Sequence, residues 1–254
     1  MAIVPGIWKV VGREPEALAL SVSFPVGSHT VRAGSRELAD AGLAEVPADG
    51  DADFALRRDA GTFKFRGSFR RGALGDASFG ADLDFATSMR RIGFKLSDAE
   101  VLHCAALGLS ADAAREFKAD FPKISLESLL SGAAFGATPS YARTMRSLLR
   151  VSSFDEIVPL AVYGVTIDFA RAMTGLLEAP LSARDLASLR MAEVDTNYVT
   201  GLVPALDSKP DARQVYRLKR LGVTPEAARE FAARERRRIS CDELSLSAAA
   251  PATA

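Results

Sequence analysis

The chain is poor in the residue types that would by themselves identify an active site. Its 254 residues include only two cysteines, Cys104 and Cys241, and two histidines, His29 and His103. No Cys-x-x-Cys pair occurs and the cysteines are far apart in sequence, which argues against a disulfide framework and against a zinc site. The sequence therefore predicts neither a metal nor a cofactor.

An excess of charge and a long apolar run are also missing. Thirty-two basic residues balance 32 acidic ones, which argues against a globally basic nucleic-acid-binding protein. No window approaches the ~18 consecutive apolar residues of a transmembrane helix. The segment from Met1 to Trp8 lacks the basic and apolar regions of a signal peptide. We therefore expect a cytoplasmic protein without a membrane span.

The first third of the chain has an alternating apolar pattern. Apolar and polar residues alternate from Leu18 to Val26 and again from Phe63 to Phe69, which is typical of half-buried antiparallel strands. A short helix is expected between Ser35 as its N-cap and Gly42 as its C-cap. The predicted domain, residues 1–81, is a small antiparallel β sandwich or open barrel. Its six strands are expected near residues 6–11, 17–26, 29–34, 52–58, 61–70 and 74–81.

From about residue 82 the pattern is helical and recurs every 28 or 29 residues. Each repeat has two helices, and each helix follows a residue of the type that caps helix N-termini. The first helices are expected after Ser97, Ser125, Ser153, Ser182, Asp211 and Ser240, and the second helices after Asp82, Ser110, Thr138, Thr166, Asp195 and Thr224. Four glycines are placed to end first helices in a left-handed conformation: Gly108, Gly136, Gly164 and Gly222. This predicts an α-solenoid of helix-hairpin repeats over residues 82–247 and a disordered tail over 248–254, making the whole an α+β protein.

Large apolar residues recur three and seven positions after the caps of the second helices. They could line a ligand groove, but the strict period favours an apolar core between successive repeats. The set comprises Phe85, Met89, Phe117, Tyr141, Met145, Phe169, Met173 and Tyr198.

Three segments carry a resemblance to a known group of proteins. They are a Gly-x-Trp near the start (Gly6, Trp8), the run Ala-Gly-Thr-Phe-x-Phe-x-Gly-x-Phe from Ala60 to Phe69, and Gly-Val-Thr-Ile-Asp-Phe-Ala-Arg-Ala-Met from Gly164 to Met173. The chain resembles the uncharacterised extramembrane region appended to some bacterial membrane metallopeptidases of the β-lactam-sensor and antirepressor type. The His-Glu-x-x-His zinc motif and the membrane helices of those peptidases are missing here. The resemblance implies a role in sensing or regulation and transfers no catalytic residue.

Nucleophilic catalysis has one candidate, the adjacent pair His103 and Cys104. Neighbouring residues on a helix point about 100° apart, and Cys104 lies on an apolar helix face, so a buried structural thiol is the favoured interpretation. A Gly-x-Ser-x-Gly nucleophile elbow does not occur. We therefore assign no catalytic residue, and a small hydrolase with a site at the domain junction, near Phe85 to His103, is kept as an alternative.

Basic residues concentrate near the C-terminus, where Asp211–Arg238 holds nine basic and four acidic residues. The cluster could contact an anion, a nucleic acid or a protein partner, but Tyr216 is the only aromatic residue interleaved with it, which argues against nucleic acid. A polar cap on the last repeat is the favoured interpretation. The candidate contacts are Arg213, Arg217, Arg220, Arg234, Arg236, Arg237 and Arg238. The function that the sequence favours is a non-enzymatic scaffold that binds a protein or peptide.

Overall fold

The protein is described by a computed structural model over residues 3–14, 16–43, 49–178 and 180–249. It is an α+β protein in which an antiparallel sheet is followed by helices. The strands end at Ala81 and the helical part begins at Leu83, next to the predicted boundary. The chain nevertheless divides into two compact units elsewhere, Met1–Ala134 and Phe135–Ala254, because the first helices of the helical part pack on the sheet.

The sheet consists of two three-stranded meanders that meet along the first and last strands. All neighbouring strands are antiparallel, and their order is β3-β2-β1-β6-β5-β4. The sheet curls into a single half-barrel, so the predicted open barrel describes it better than the predicted sandwich of two sheets. The strands are β1 (Val4–Glu14), β2 (Ala17–Phe24), β3 (Gly27–Gly34), β4 (Asp51–Arg58), β5 (Gly61–Ser68) and β6 (Gly75–Ala81).

Alternation along the strands places aromatic rings on the inner face of the sheet. Trp8 packs edge-on against Phe54, Phe65 and Phe69, with ring centroids 5.5–6.1 Å apart. Its Nε1 donates a hydrogen bond of 3.1 Å to the carbonyl oxygen of Arg66, so the indole is both buried and satisfied. A Cβ on Gly75 would lie 2.3 Å from that Nε1, which explains the glycine beside this ring.

A short helix, α1 (Ser35–Asp40), packs against β3 and β4, the two edge strands of the half-barrel. Its caps differ by one residue from the prediction. Gly34 is the N-cap, and the backbone N–H of Gly34 donates to the carboxylate of Glu37. Ser35 is the first helical residue, and its hydroxyl instead donates to the carbonyl oxygen of Glu16. The C-cap is Ala41, and Gly42 follows it with a φ of +83°.

Four further helices belong to the first unit: α2 (Leu83–Ile92), α3 (Asp98–Leu107), α4 (Ala111–Asp120) and α5 (Leu126–Ala134). Helix α3 contacts β3, β5 and β6, and it is buried because it packs on both the sheet and α5. The turn between β4 and β5 also contacts the start of helix α4. Asp59 there accepts a hydrogen bond of 2.7 Å from the backbone N–H of Ala111 at the start of α4.

The second unit contains α6 (Pro139–Leu149), α7 (Val158–Val162), α8 (Ile167–Leu176), α9 (Ala183–Met191), α10 (Thr196–Leu202), α11 (Ala212–Arg220), α12 (Pro225–Glu235) and α13 (Cys241–Ala249). A 3₁₀ turn, Phe154–Glu156, precedes α7, and another, Val203–Ala205, follows α10. Alternate helices contact one another. The sequence of contacts is α7, α9, α11 and α13 for the first helices of the repeats, and α6, α8, α10 and α12 for the second helices.

The predicted helix starts are confirmed at the caps of all the repeats, whereas the start of α1 differs by one residue. In each repeat the α-helix or 3₁₀ turn begins at the residue directly after the predicted cap. Ser97, for example, accepts from the backbone N–H of Glu100 while the carboxylate of Glu100 accepts from the backbone N–H of Ser97. The four glycines predicted to end first helices all have left-handed backbones, with φ between +63° and +79°.

The large apolar residues that recur in the second helices form core rather than a groove. Met89, Met145 and Met173 have no exposed surface. Tyr141 and Tyr198 are the polar members, and each hydroxyl donates a bond of 2.8 Å to the carbonyl oxygen that precedes the next second helix, at Val165 and at Val223. The predicted disordered tail begins too early, because α13 continues to Ala249; residues 250–254 lie outside the described part of the chain.

Candidate functional site

The structure brings the two histidines of the chain together. His29 lies on the inner face of β3 and His103 lies on α3, and their ring centroids are 4.9 Å apart with the planes tilted by 32°. Their separation by 74 positions gives no sign of this contact in the sequence. The available signal was the position of His29 in the alternation of β3, where Val31 and Ala33 are also on the buried face.

Burial shapes the chemistry of this histidine pair. It lowers the pKa of His29 and that of His103 below the ordinary value of 6.5, and the charge of His103 lowers the pKa of His29 further. Both rings are therefore neutral at pH 7. Neutral imidazoles in contact can accept or donate a proton, but a catalytic site would also need a nucleophile or a substrate-binding group beside them.

Cys104 does not supply that nucleophile. The residue has no exposed surface, and burial, helped by the nearby charge of Glu100, raises the pKa of its thiol to about 12. A protonated, inaccessible thiol is inert as a nucleophile. The Glu100 carboxylate is itself occupied by the capping bonds of Ser97, including one of 2.7 Å from the backbone N–H. Over the described residues, no three His, Cys, Asp or Glu side chains are grouped so that they could hold a metal ion.

Two neighbouring grooves flank helix α9 on the side of the first helices. The groove between α7 and α9 has a volume of about 490 Å³, and Pro159, Tyr163, Ala187 and Met191 form its apolar part. The groove between α9 and α11 has a volume of about 430 Å³ and is lined in part by Tyr216. Ser182, Arg184 and Ser188 of the α9 segment line both grooves, so the two are adjacent along the same helix face.

Large apolar side chains are left in solvent at this face. Tyr163, directly after α7, is 43% exposed, and Met191, the last residue of α9, is 54% exposed. Each lies one or two residues before the left-handed residue that ends its first helix, Gly164 or Glu193. Position within the repeat was the signal that could have identified them, but sequence alone did not show which apolar residues face water.

The charged groups of the grooves differ in whether they are engaged. The carboxylates of Glu156 and Asp185 accept hydrogen bonds of 3.1 Å and 3.0 Å from the backbone N–H groups of Ser153 and Ser182. Hydrogen bonds from the backbone N–H groups of Ser152 and Ser153 lower the pKa of Glu156. The guanidinium groups of Arg184 and Arg213, by contrast, have no hydrogen bond or ion pair with any residue in the described part of the chain.

The predicted arginine cluster at the C-terminus separates into engaged and free members. Arg217 of α11 pairs with Asp242 of α13 at 3.0 Å, Arg237 pairs with Glu243, and Arg238 donates to the carbonyl oxygen of Val203. These contacts connect the last helices and agree with the interpretation of the cluster as a polar end. The other predicted members are Arg213, which lines the groove between α9 and α11, and the exposed residues Arg220, Arg234 and Arg236.

A scan against protein-family models and a search of curated proteins find no match to this chain. The similarity to metallopeptidase-associated regions therefore stays a prediction. Among the described residues no single helix has the length and apolarity to cross a membrane; Phe154–Val162 and Ile167–Leu176 meet those criteria only as a pair, which is bent by 100°.

Proposed function

We propose that this protein is a non-enzymatic scaffold whose helical repeats form an α-solenoid and bind a protein or peptide partner. The observation that carries the proposal is the pair of grooves on either side of α9, with Tyr163 and Met191 exposed at their edge. Contacts between successive first helices and between successive second helices support the solenoid, since such proteins pack each repeat on its neighbour.

The composition of the grooves suits recognition of a polypeptide. Tyrosine and methionine are enriched in protein interfaces, and tyrosine buries a large area for little loss of conformational freedom. Exposed apolar groups beside a groove, with polar groups such as Ser188 and Arg184 next to them, are typical of a binding surface. Stacked helices also offer an extended face to an elongated ligand.

The alternative functions have less support. A hydrolase at the start of the helical part needs an activated nucleophile, and Cys104 is buried with its pKa raised to about 12. A regulator that contacts nucleic acid through the C-terminal arginines needs free cations, and Arg217 and Arg237 already pair with acidic side chains. The sequence resemblance suggests that binding by the scaffold serves bacterial sensing or regulation.

Selection from a phage-displayed random peptide library on the immobilised full chain tests the proposal. We expect enriched peptides whose affinity, measured by fluorescence anisotropy, falls at least tenfold for Tyr163→Asp and for Met191→Asp. The matched control is Ile7→Asp, which changes a 49% exposed residue of β1 remote in sequence from the grooves and should leave affinity unchanged. Failure to enrich any peptide, or equal affinity of all the variants, would contradict the proposal.

A further inference from the structure

Arg184 and Arg213 occupy the same position in two consecutive repeats. Each is the second residue of its helix, α9 or α11. The corresponding second residue is alanine in α3 and acidic in the other three repeats: Glu127 in α5, Asp155 in the 3₁₀ turn before α7, and Asp242 in α13. Among the repeats with a charged residue at this position, only α9 and α11 carry a basic one. These are the two helices that border the groove containing Tyr216.

This reversal opposes the local electrostatics of a helix. The first turn carries unpaired N–H groups and the positive end of the helix dipole, so it favours acidic side chains and disfavours arginine. Neither Arg184 nor Arg213 compensates through an ion pair with a residue that the structure describes. Arg217 and Arg229, on α11 and α12, do have carboxylate partners, Asp242 and Glu226.

Among the described residues, the two arginines are also the charged groups of the grooves that have no partner. Glu156 and Asp185 are the acidic side chains that line the two grooves, and both carboxylates are occupied by backbone N–H groups. Two guanidinium groups are thus free to bind an anion, and guanidinium suits carboxylate because it can donate two parallel hydrogen bonds. The apolar part formed by Tyr163 and Met191 adjoins them across α9.

We propose that the partner bound at these grooves is an acidic peptide segment whose carboxylates pair with Arg184 and Arg213 and whose apolar side chain packs on Tyr163 and Met191. This inference rests on the proposed function. Helices α9 and α11 are in contact, and packed helices lie about 8–10 Å apart. An extended chain advances about 3.3 Å per residue, so the two acidic residues should be about three positions apart.

Titration with three labelled octapeptides tests the inference by fluorescence anisotropy of the full chain. The first probe repeats Glu-Leu-Ala, so that glutamates recur every three residues, and the others carry glutamine or lysine in place of glutamate. We expect at least tenfold weaker binding of the glutamine peptide and no binding of the lysine peptide. Binding of the glutamate peptide should weaken as salt rises, because exposed charges are screened.

Charge reversal in the protein should exchange these preferences. The double variant Arg184→Glu, Arg213→Glu should lose at least tenfold in affinity for the glutamate peptide and gain affinity for the lysine peptide. Its melting temperature should be unchanged or raised, because acids suit these first-turn positions, so loss of binding will not reflect unfolding. The double variant Arg70→Glu, Arg71→Glu, at two exposed residues of the segment before β6, makes the same change of net charge and should bind as the native chain does.

The outcomes separate the two proposals. Peptide binding that requires Tyr163 and Met191 but is indifferent to peptide charge and to Arg184→Glu, Arg213→Glu would overturn the acidic partner and leave the scaffold intact. No binding of any library or designed peptide would overturn both. Tighter binding of a DNA duplex than of the glutamate peptide, lost on the same double reversal, would assign the arginines to nucleic acid and overturn this inference.

Discussion

Glu193 holds its backbone in a conformation that glycine adopts at the corresponding place in four other repeats. Its φ is +56°, beside +70°, +79°, +63° and +73° at Gly108, Gly136, Gly164 and Gly222. A residue with a Cβ is strained there by about 1–2 kcal/mol, whereas glycine is not, although glycine loses more entropy on folding.

Glu193→Gly should therefore raise the free energy of unfolding by about 0.5–1 kcal/mol. Urea denaturation measures the change. Gly164→Ala is the converse control and should lower stability by about 1 kcal/mol, since it introduces a Cβ at an equivalent backbone angle. A neutral or destabilising Glu193→Gly would mean that the side chain of Glu193 makes a compensating contact.

The histidine pair should make the free energy of unfolding depend on pH near and below pH 6.5. The pKa values of His29 and His103 are lower in the folded chain than the ordinary 6.5, chiefly through burial. Between the folded and unfolded pKa values the unfolded chain binds more protons, so the free energy of unfolding rises with pH. This contribution is fully present above pH 6.5 and is lost as the pH falls below it.

We expect the urea concentration at the unfolding midpoint to decrease as the pH is lowered from 7.5 to 5.5. This pH range lies above the one in which carboxylates titrate. His103→Gln should flatten that slope, because it removes one titrating ring and the repulsion that lowers the pKa of the other. The chain has only two histidines, so the measurement has little background. An unchanged slope in His103→Gln would show that the pair is not the source.

At the scale of elements, Arg58 is the residue that joins the strands to the helices of the first unit. Its side chain is 6% exposed and pairs with Glu37 of α1 at 2.8 Å. It also donates to the carbonyl oxygens of Ala105 and Ala106 at the end of α3, at 2.8 Å and 2.7 Å, and to that of Arg32 in β3. A cation at a helix C-terminus satisfies carbonyl groups that have no partner within the helix.

Arg58→Ala should lower the free energy of unfolding by about 3 kcal/mol, because it leaves the carbonyl groups of α3 and the Glu37 carboxylate without their partner. Arg58→Lys should recover only part of this, since an ammonium cannot reproduce the guanidinium geometry. Arg57→Ala is the control, because the neighbouring Arg57 is exposed. If Arg58→Ala and Arg57→Ala lower the melting temperature equally, Arg58 does not hold the strands and helices together.

At the scale of the whole molecule, the chain divides into two compact units that each have a core of their own. Phe169 is a buried residue of the second unit, and Trp8 and its aromatic neighbours lie in the first. In repeat arrays, destabilisation passes chiefly between neighbouring repeats. A core mutation in the second unit should therefore loosen that unit first.

Phe169→Ala should cost about 3–5 kcal/mol, the usual result of removing a core aromatic side chain. Hydrogen exchange should accelerate over helices α6 to α10, while the strands β4 and β5 stay protected. Phe135→Ala, at a residue that is 55% exposed, should change stability by less than about 0.5 kcal/mol. Uniform acceleration across all strands and helices would instead indicate a single cooperative unit.

Local sequence signals predict the starts of the repeat helices without error and the starts of the strands to within two residues. A cap such as Ser97, a left-handed glycine such as Gly164 and the alternation from Leu18 act over a few residues, so they can be recognised without a fold. The one-residue error at Ser35 arose because its hydroxyl donates to the carbonyl oxygen of Glu16, which is distant in sequence, while Glu37 accepts from the backbone N–H of Gly34 at the N-cap.

Contacts between residues that are distant in sequence depend on the packing of the whole chain. The order of the strands, the pairing of His29 with His103, and the choice of Arg217 but not Arg213 for an ion pair depend on long-range packing. The division after Ala134 likewise follows from α3 packing on the sheet. A periodic pattern states which face of a helix is apolar, but exposure at Tyr163 and Met191 depends on how much of that face the neighbouring helix covers.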